Sequence, residues 1–193
     1  KAIIVNSGRG TRMGEYTQKR PKCLLDIVEG ETVLSKQIKS LLERNIDDII
    51  ITTGAFAEQI HSYMKNNFPD LEVTYIHNHH YASTNYIYSL YLTKDKLGPR
   101  NDTVCFMHGD LVFEHSVLNL LMDSVSPTAA IIDSSVPLPS KDFKGRIEEG
   151  HITSISVALD EPDCYFLAPL YKSSAEAFTL WMEEIAQFVS RGN

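Results

Sequence analysis

Short runs of consecutive apolar and β-branched residues alternate with helical periodicity through the first half of this chain, and that rhythm constrains the fold more than any other feature. The runs are residues 1–7, residues 47–53 (Asp-Asp-Ile-Ile-Ile-Thr-Thr, closed by Gly54) and residues 103–108, while residues 71–77 alternate as a strand. Successive strand side chains point to opposite faces, so a run that is apolar at every position needs cover on both sides. Between the first two runs, residues 32–45 carry Val33, Leu34, Ile38, Leu41 and Leu42 at helical spacing. Residues 56–67 read as a second helix, stopped by Asn66-Asn67-Phe68-Pro69, and a helix at 114–124 leads to a strand at 128–133. This β-α-β-α-β order predicts an α/β fold with a Rossmann-like, mostly parallel sheet and helices on both faces.

The second half changes character. Pro137, Pro139 and Pro162 punctuate it, and residues 144–157 read as two strands joined by a turn at Glu149-Gly150. A strand at 164–171 and a helix at 174–191 follow, the helix with Phe178, Trp181, Met182, Ile185 and Phe188 on one face. No repeat, linker or low-complexity segment divides the 193 residues, so one domain over 1–193 is expected, its later strands forming a small β insertion over a substrate pocket.

Composition removes several function classes. A net charge of −7 disfavours a nucleic-acid binder, which needs a basic face to displace counterions. It leaves room for small anionic substrates, because a few focused cations suffice to hold phosphates. Cys23, Cys105 and Cys164 are odd in number and lack a CxxC spacing, so neither a disulfide framework nor a zinc knuckle is predicted, and a reducing cytoplasm is the expected location. No apolar run reaches the roughly 18 residues a membrane span requires. A homo-oligomer is compatible with the sequence. His77, His79 and His80 lack the partner set of a zinc site.

The first apolar run ends in Asn6-Ser7-Gly8-Arg9-Gly10-Thr11-Arg12-Met13-Gly14, with Pro21-Lys22 further on. Ligands of parallel sheets gather at the carboxyl ends of strands. Glycines at 8 and 10 let backbone N–H groups approach an anion without Cβ obstruction. Arg12 offers a bidentate fork for phosphate oxygens and Lys22 a mobile point charge. The P-loop pattern GxxxxGK[ST] is absent, and the dinucleotide fingerprint GxGxxG fails by one position, because residue 13 is methionine and the glycine is residue 14. At the end of the run at 103–108, Gly109-Asp110 places a carboxylate where a hard divalent cation bridging triphosphate oxygens would be held; the same aspartate could instead cap the helix that follows.

The wider pattern, Gly-x-Gly-Thr-Arg-Met, then Thr17, then Pro21-Lys22-x-Leu24, resembles the signature of the sugar nucleotidyltransferase-like superfamily. The resemblance continues through Gly30-Glu-Thr-Val-Leu, Ile49-Ile-Ile-Thr-Thr-Gly54 and Gly109-Asp110, and covers most of residues 1–125. Asn6-Ser7 stands where the family has a pair of alanines. Thr84-Asn85-x-x-Tyr88-Ser89-Leu90 is similar to the motif of the phosphocholine cytidylyltransferase-type branch, which carries Asn-Asn where this chain has Thr84-Asn85. Helical spacing alone would make the same stretch a short packed helix with Tyr86, Ile87, Leu90 and Tyr91 in the core.

The resemblance implies a nucleotide-binding part over 1–125 and an acceptor-side part over 126–193. It implies CTP as donor and a small phosphorylated or phosphonate acceptor. Ser7, Gly8, Gly10 and Thr11 would bind the nucleotide, with Asn85 and Ser89 helping to position it or the acceptor; Arg12 and Lys22 would stabilise phosphate charge; Asp110 would hold Mg2+. The family's second metal-binding aspartate sits in a Glu-Ile-Asp-type segment that this sequence lacks, so the C-terminal end is expected to be incomplete. For the acceptor, Tyr81, Tyr86, Tyr165 and Trp181 could form an aromatic cage, or Lys144 and Arg146 a phosphate grip. The competing readings are a sugar-1-phosphate nucleotidyltransferase using UTP, GTP or dTTP, and a non-catalytic relative that senses nucleotides.

Overall fold

The computed structural model describes residues 1–97, 103–160 and 162–190. In chain order its elements are β1 (Ala2–Val5), β2 (Asp26–Val28), β3 (Glu31–Thr32), α1 (Val33–Leu42), β4 (Ile49–Thr53), α2 (Ala57–Asn67), β5 (Val73–His77), α3 (Tyr86–Tyr91), β6 (Val104–His108), α4 (His115–Met122), β7 (Ala129–Asp133), β8 (Lys144–Glu148), β9 (His151–Ser156), β10 (Cys164–Ser173) and α5 (Ala175–Ser190). Two 3-10 turns, Thr11–Thr17 and Lys22–Leu24, lie between β1 and β2.

The strands other than the small β2–β3 hairpin form one eight-stranded sheet in the order β5-β4-β1-β6-β10-β8-β9, with β7 also paired to β10. The first four strands are parallel, as the alternating sequence pattern requires. From β10 onward the pairings are antiparallel. The β8–β9 hairpin thus extends the far edge of the same sheet. Strands from both halves of the sequence share its hydrogen-bond ladder, through the pairing of β10 with β6.

Strict alternation explains why the central runs are apolar throughout. Ile4, Ile49, Ile51 and Met107 point to one face, where Leu34, Ile38 and Leu41 of α1, Ile60 and Met64 of α2, and Leu118 and Leu121 of α4 cover them. Ile3, Ile50 and Phe106 point to the other, against Leu90 of α3 and Phe178, Met182 and Ile185 of α5. All these side chains are buried, which supplies the main stabilisation at roughly 25 cal/mol per Å2 of apolar surface removed from water.

The α5 stripe is narrower than the sequence suggests. Trp181 and Phe188 remain 38% and 48% exposed, because the sheet face accommodates only the Phe178-Met182-Ile185 line. Residue 191 of the expected helix lies outside the described residues. Helix α1 begins with a capping box, in which Thr32 accepts from the Ser35 N–H and Ser35 Oγ accepts from the Thr32 N–H. It ends early because Asn45 turns into the left-handed region (φ 56°), where asparagine is tolerated. Among the described residues no helix is long and apolar enough to cross a membrane.

Topology positions the site. From β1 the chain steps outward through β4 to β5, then returns to place β6 on the opposite side of β1. The direction of strand addition therefore reverses between β1 and β6, and the loops leaving their carboxyl ends must part there, opening a crevice.

Candidate active site

That crevice is a cleft of about 350 Å3. It is lined by Ser7, Gly8, Gly10, Thr11 and Arg12 from the loop after β1, by Lys22, by Asn85, Tyr86 and Ser89 around α3, and by His108 and Asp110 at the end of β6. Ser7, Gly8, Gly10, Thr11, Arg12, Lys22, Asn85, Ser89 and Asp110, expected from the sequence at the nucleotide, its phosphates and the metal, thus reach one cavity, although they span positions 7 to 110.

The loop after β1 is held by its neighbours. The Asn6 N–H donates to Thr52 Oγ1 at 3.1 Å, and Ser7 Oγ donates to the same oxygen at 3.0 Å. Gly10 adopts a left-handed conformation (φ 69°) that favours glycine, and its carbonyl accepts from Thr17 Oγ1 at 2.8 Å and from the Met13 N–H at 3.0 Å. A Cβ at Gly10 would come within 2.9 Å of Lys22 Cγ. The glycine therefore turns the chain and also leaves room for the lysine stem that enters the cleft from the Lys22–Leu24 turn.

Lys22 Nζ donates to Asp110 Oδ2 at 2.8 Å. Burial acts to raise the Asp110 pKa, but the Lys22 hydrogen bond and charge, with His108 and the residue's own backbone N–H, outweigh it and hold the carboxyl below its usual value. The loop that carries Asp110 is fixed from α1. Gln37 Nε2 donates to His108 O at 2.9 Å and to Leu111 O at 2.7 Å, one residue on either side of the Gly109-Asp110 pair. His108 packs its ring 4.5 Å from that of Tyr86. Burial pushes its pKa down, and so does the Lys22 charge, against an opposing pull from Asp110.

Asn6 occupies the space above Gly109. A Cβ on Gly109 would fall 1.7 Å from Asn6 Oδ1, so the ends of β1 and β6 meet only because residue 109 lacks one. The Gly109 N–H donates to Val5 O at 3.0 Å and closes the same junction.

The other wall is built on Asn78, at the end of β5. It is 1% exposed. Its Nδ2 donates to Thr84 Oγ1 and to Ser89 Oγ, both at 3.0 Å, and its Oδ1 accepts from the His80 N–H at 2.8 Å. Asn85 caps α3, its Oδ1 accepting from the Ile87 N–H at 2.9 Å. Leu90 is buried in the core with Tyr86, Ile87 and Tyr91 packed against it, while Ser89 faces Asn78. The motif therefore serves packing on one side and the cleft on the other.

Asn78, His108 and Gln37 escape motif reading, but each left a trace in the sequence. Asn78 and His108 sit at the carboxyl ends of strands, and Gln37 is a lone polar residue on the apolar stripe of α1.

The acceptor groupings fare differently. Tyr81 lines the cleft alone, Trp181 lines a second, larger cavity of about 930 Å3 between α5 and the β8–β9 hairpin, Tyr86 borders both, and Tyr165 lines neither. Trp181 sits 5.2 Å from the Phe106 ring. The four aromatics do not form one cage. Lys144 is 5% exposed and donates to Pro139 O at 3.0 Å, so its ammonium is already committed inside the protein. His77 and His79 contact each other edge to face, and among the described residues no three His, Cys, Asp or Glu side chains are grouped to hold a metal ion by themselves.

Comparison with known proteins identifies the family and the fold. Residues 2–141 match the family model of the MobA-like NTP transferase domain. Among sequence relatives, the choline-phosphate cytidylyltransferase of Streptococcus pneumoniae is 39% identical over 97 residues, which is 50% of this chain and 40% of that protein. The CTP:phosphoglutamine cytidylyltransferase of Campylobacter jejuni is 25% identical over 152 residues, 77% of this chain and 58% of that protein. The solved structure of CTP:phosphocholine cytidylyltransferase from Streptococcus pneumoniae superposes with a TM-score of 0.75 at 22% identity, over 100% of this chain and 78% of that one. With a family match that covers most of its length, the chain belongs to the MobA-like NTP transferase domain family, a family of nucleotidyltransferases.

Proposed function

We propose that this protein transfers CMP from CTP to a small phosphorylated or phosphonate acceptor and releases pyrophosphate. The observation that carries the reading is the convergence of the Gly8–Gly10 loop, Arg12, Lys22 and Asp110 on one cleft at the strand-order reversal. The sequence relatives named for cytidylyltransferase activity support CTP as the donor.

An acceptor phosphate or phosphonate oxygen is already ionised and attacks the α-phosphorus without a general base. The chain's work is positioning and charge neutralisation. Backbone N–H groups of the glycine loop and the Arg12 fork would hold the triphosphate, and the Lys22 ammonium would meet the charge that builds on the phosphates. The wall formed by Asn85 and Ser89 would set the nucleotide's placement.

Asp110 would hold Mg2+. One carboxylate from the protein suits this ion, which commonly takes one or two carboxylates and completes its shell with substrate phosphates and water. When bound, Mg2+ supplies charge neutralisation across the phosphate oxygens.

The test is a substrate matrix with pyrophosphate release as readout. CTP, UTP, GTP and dTTP are each paired with phosphocholine, phosphoethanolamine, aminoethylphosphonate, a phosphorylated amino-acid derivative and a sugar 1-phosphate. Turnover confined to CTP with one of the first four acceptors is the expected result. Turnover with a sugar phosphate and another nucleotide would replace the donor and acceptor assigned here, and nucleotide binding without turnover of any pair would make the chain a sensor.

A further inference from the structure

We infer that Asn78 is the positioning residue for the α3 wall of the nucleotide cleft, and that Ser89 acts through it, not as an independent contact to the nucleotide. The inference rests on the reading of the cleft as a nucleotide site.

Asn78 connects three pieces of chain that local sequence does not hold together. Its backbone N–H donates to Thr53 O at 2.8 Å, which extends the β4–β5 ladder by one bond. Its Oδ1 accepts from the His80 N–H and fixes the turn after β5. Its two amide protons then go to Thr84 Oγ1 and Ser89 Oγ, before and within α3. Helix α3 has only six residues, far below the length at which a helix is stable by itself, so its place depends on such tertiary contacts.

The polarity of the network is fixed. Thr84 Oγ1 donates its own proton to His80 O at 2.8 Å, so towards Asn78 it can only accept. The amide must therefore present Nδ2 to Thr84, and Oδ1 is left for the His80 N–H. Ser89 is 1% exposed, with its oxygen facing the second amide proton. A hydroxyl so placed is first of all the anchor by which α3 is held to β5. Thr84, Asn85, Tyr86 and Ser89, the residues α3 and its approach contribute to the cleft, all lie within this clamp or next to it.

Removing the amide leaves buried polar groups without partners and frees the wall. A loss of this kind corresponds to about tenfold in an equilibrium constant. It should appear in nucleotide affinity and in discrimination among nucleotides. The phosphate-facing residues, on the opposite wall, should keep their geometry.

The experiment is a double-mutant cycle on Asn78→Ala and Ser89→Ala. It reads the Kd for CTP and for UTP by isothermal titration, with the KM and kcat of the CTP reaction alongside and Asn78→Asp as an alternative to the alanine variant. The carboxylate introduced by Asn78→Asp cannot donate to Thr84, so this variant should weaken nucleotide binding even if Asn78→Ala fails to fold. The expected result is CTP binding weaker by about tenfold in Asn78→Ala, a narrower CTP-to-UTP ratio, KM raised more than kcat is lowered, and a double variant no weaker than Asn78→Ala alone. Losses that multiply across the two sites would overturn the inference, because Ser89 would then contact the nucleotide independently. So would an unchanged Kd and nucleotide ratio accompanied only by a lower melting temperature. A wild-type chain that binds no nucleotide would overturn the reading of the cleft itself, and this inference with it.

Discussion

Lys22 and Asp110, 88 positions apart in sequence, form an ion pair in the cleft, with Nζ 2.8 Å from Oδ2. The pair is partly exposed, so it adds little to stability, but it fixes the ammonium beside the carboxylate at the mouth of β6. Replacing Lys22 with methionine leaves burial as the largest influence on Asp110, so the carboxyl should titrate above its usual value of 3.8 instead of below it. A carboxyl-detected NMR titration of the two proteins reads the shift directly.

The same ammonium is assigned to the triphosphate. Lys22→Ala should lower turnover by roughly two orders of magnitude or more, a typical loss when a group that stabilises transition-state charge is removed, and should leave the circular dichroism spectrum unchanged. Near-normal turnover in a folded variant would remove Lys22 from the catalytic machinery.

Asp110→Asn keeps the size of the side chain and removes its charge. Turnover should lose its dependence on Mg2+, and titration with CTP should show the same affinity with and without the ion. Strengthening of CTP binding by Mg2+ to the wild-type extent in the variant would place the metal elsewhere.

Gly109 and Asn6 should be coupled. Gly109→Ala alone places a Cβ 1.7 Å from Asn6 Oδ1 and should destabilise the protein by about 1–3 kcal/mol, as forced overpacking does. Asn6→Ala removes the obstructing amide, so the Asn6→Ala/Gly109→Ala double variant should recover part of that loss. Urea unfolding of the four proteins measures the recovery, and strictly additive losses would show that the two side-chain positions do not meet.

His108 sets a pH signature. Its folded pKa lies below the usual 6.5, so on acidification the unfolded chain takes up a proton before the folded chain does. Stability should therefore fall as pH drops below about 6.5, with the loss complete once the folded pKa is passed. Above that range both states are neutral and this contribution vanishes. Asp110 acts lower: its stabilising contribution is present above 3.8 and is lost as pH falls through its depressed folded value. His108→Gln should flatten the fall in urea midpoint between about pH 7 and about pH 5 relative to wild type. Identical slopes would show that the buried imidazole is not the group responsible.

The parallel half of the sheet and the helices over it were legible because periodicity reports burial directly. Ile3 and Ile4, like Ile50 and Ile51, point to opposite covered faces, and only a two-sided sheet tolerates both. The β2–β3 hairpin escaped because strands of three and two residues carry too few positions for a period to show. The stripe on α5 was read too wide because periodicity gives the direction of a side chain, not how far the opposing surface extends, and Trp181 and Phe188 lie at the edge of that surface.

What the sequence determined by itself was the order of the longer strands and helices and a candidate set of residues for phosphates and a cation: Gly8, Gly10, Arg12, Lys22 and Asp110. These are local properties of backbone freedom, charge and position at strand ends. Only the tertiary structure decided which of them meet. The strand order puts β6 beside β1, and this brings Asp110 to Lys22, Asn6 against Gly109 and Gln37 under the Asp110 loop. It also gave Ser89 a buried partner in Asn78 and left Trp181 in a different cavity from Tyr81. Spacing along a chain says nothing about distance between strands; the hydrogen-bonded ladder and the packing on its two faces set that distance.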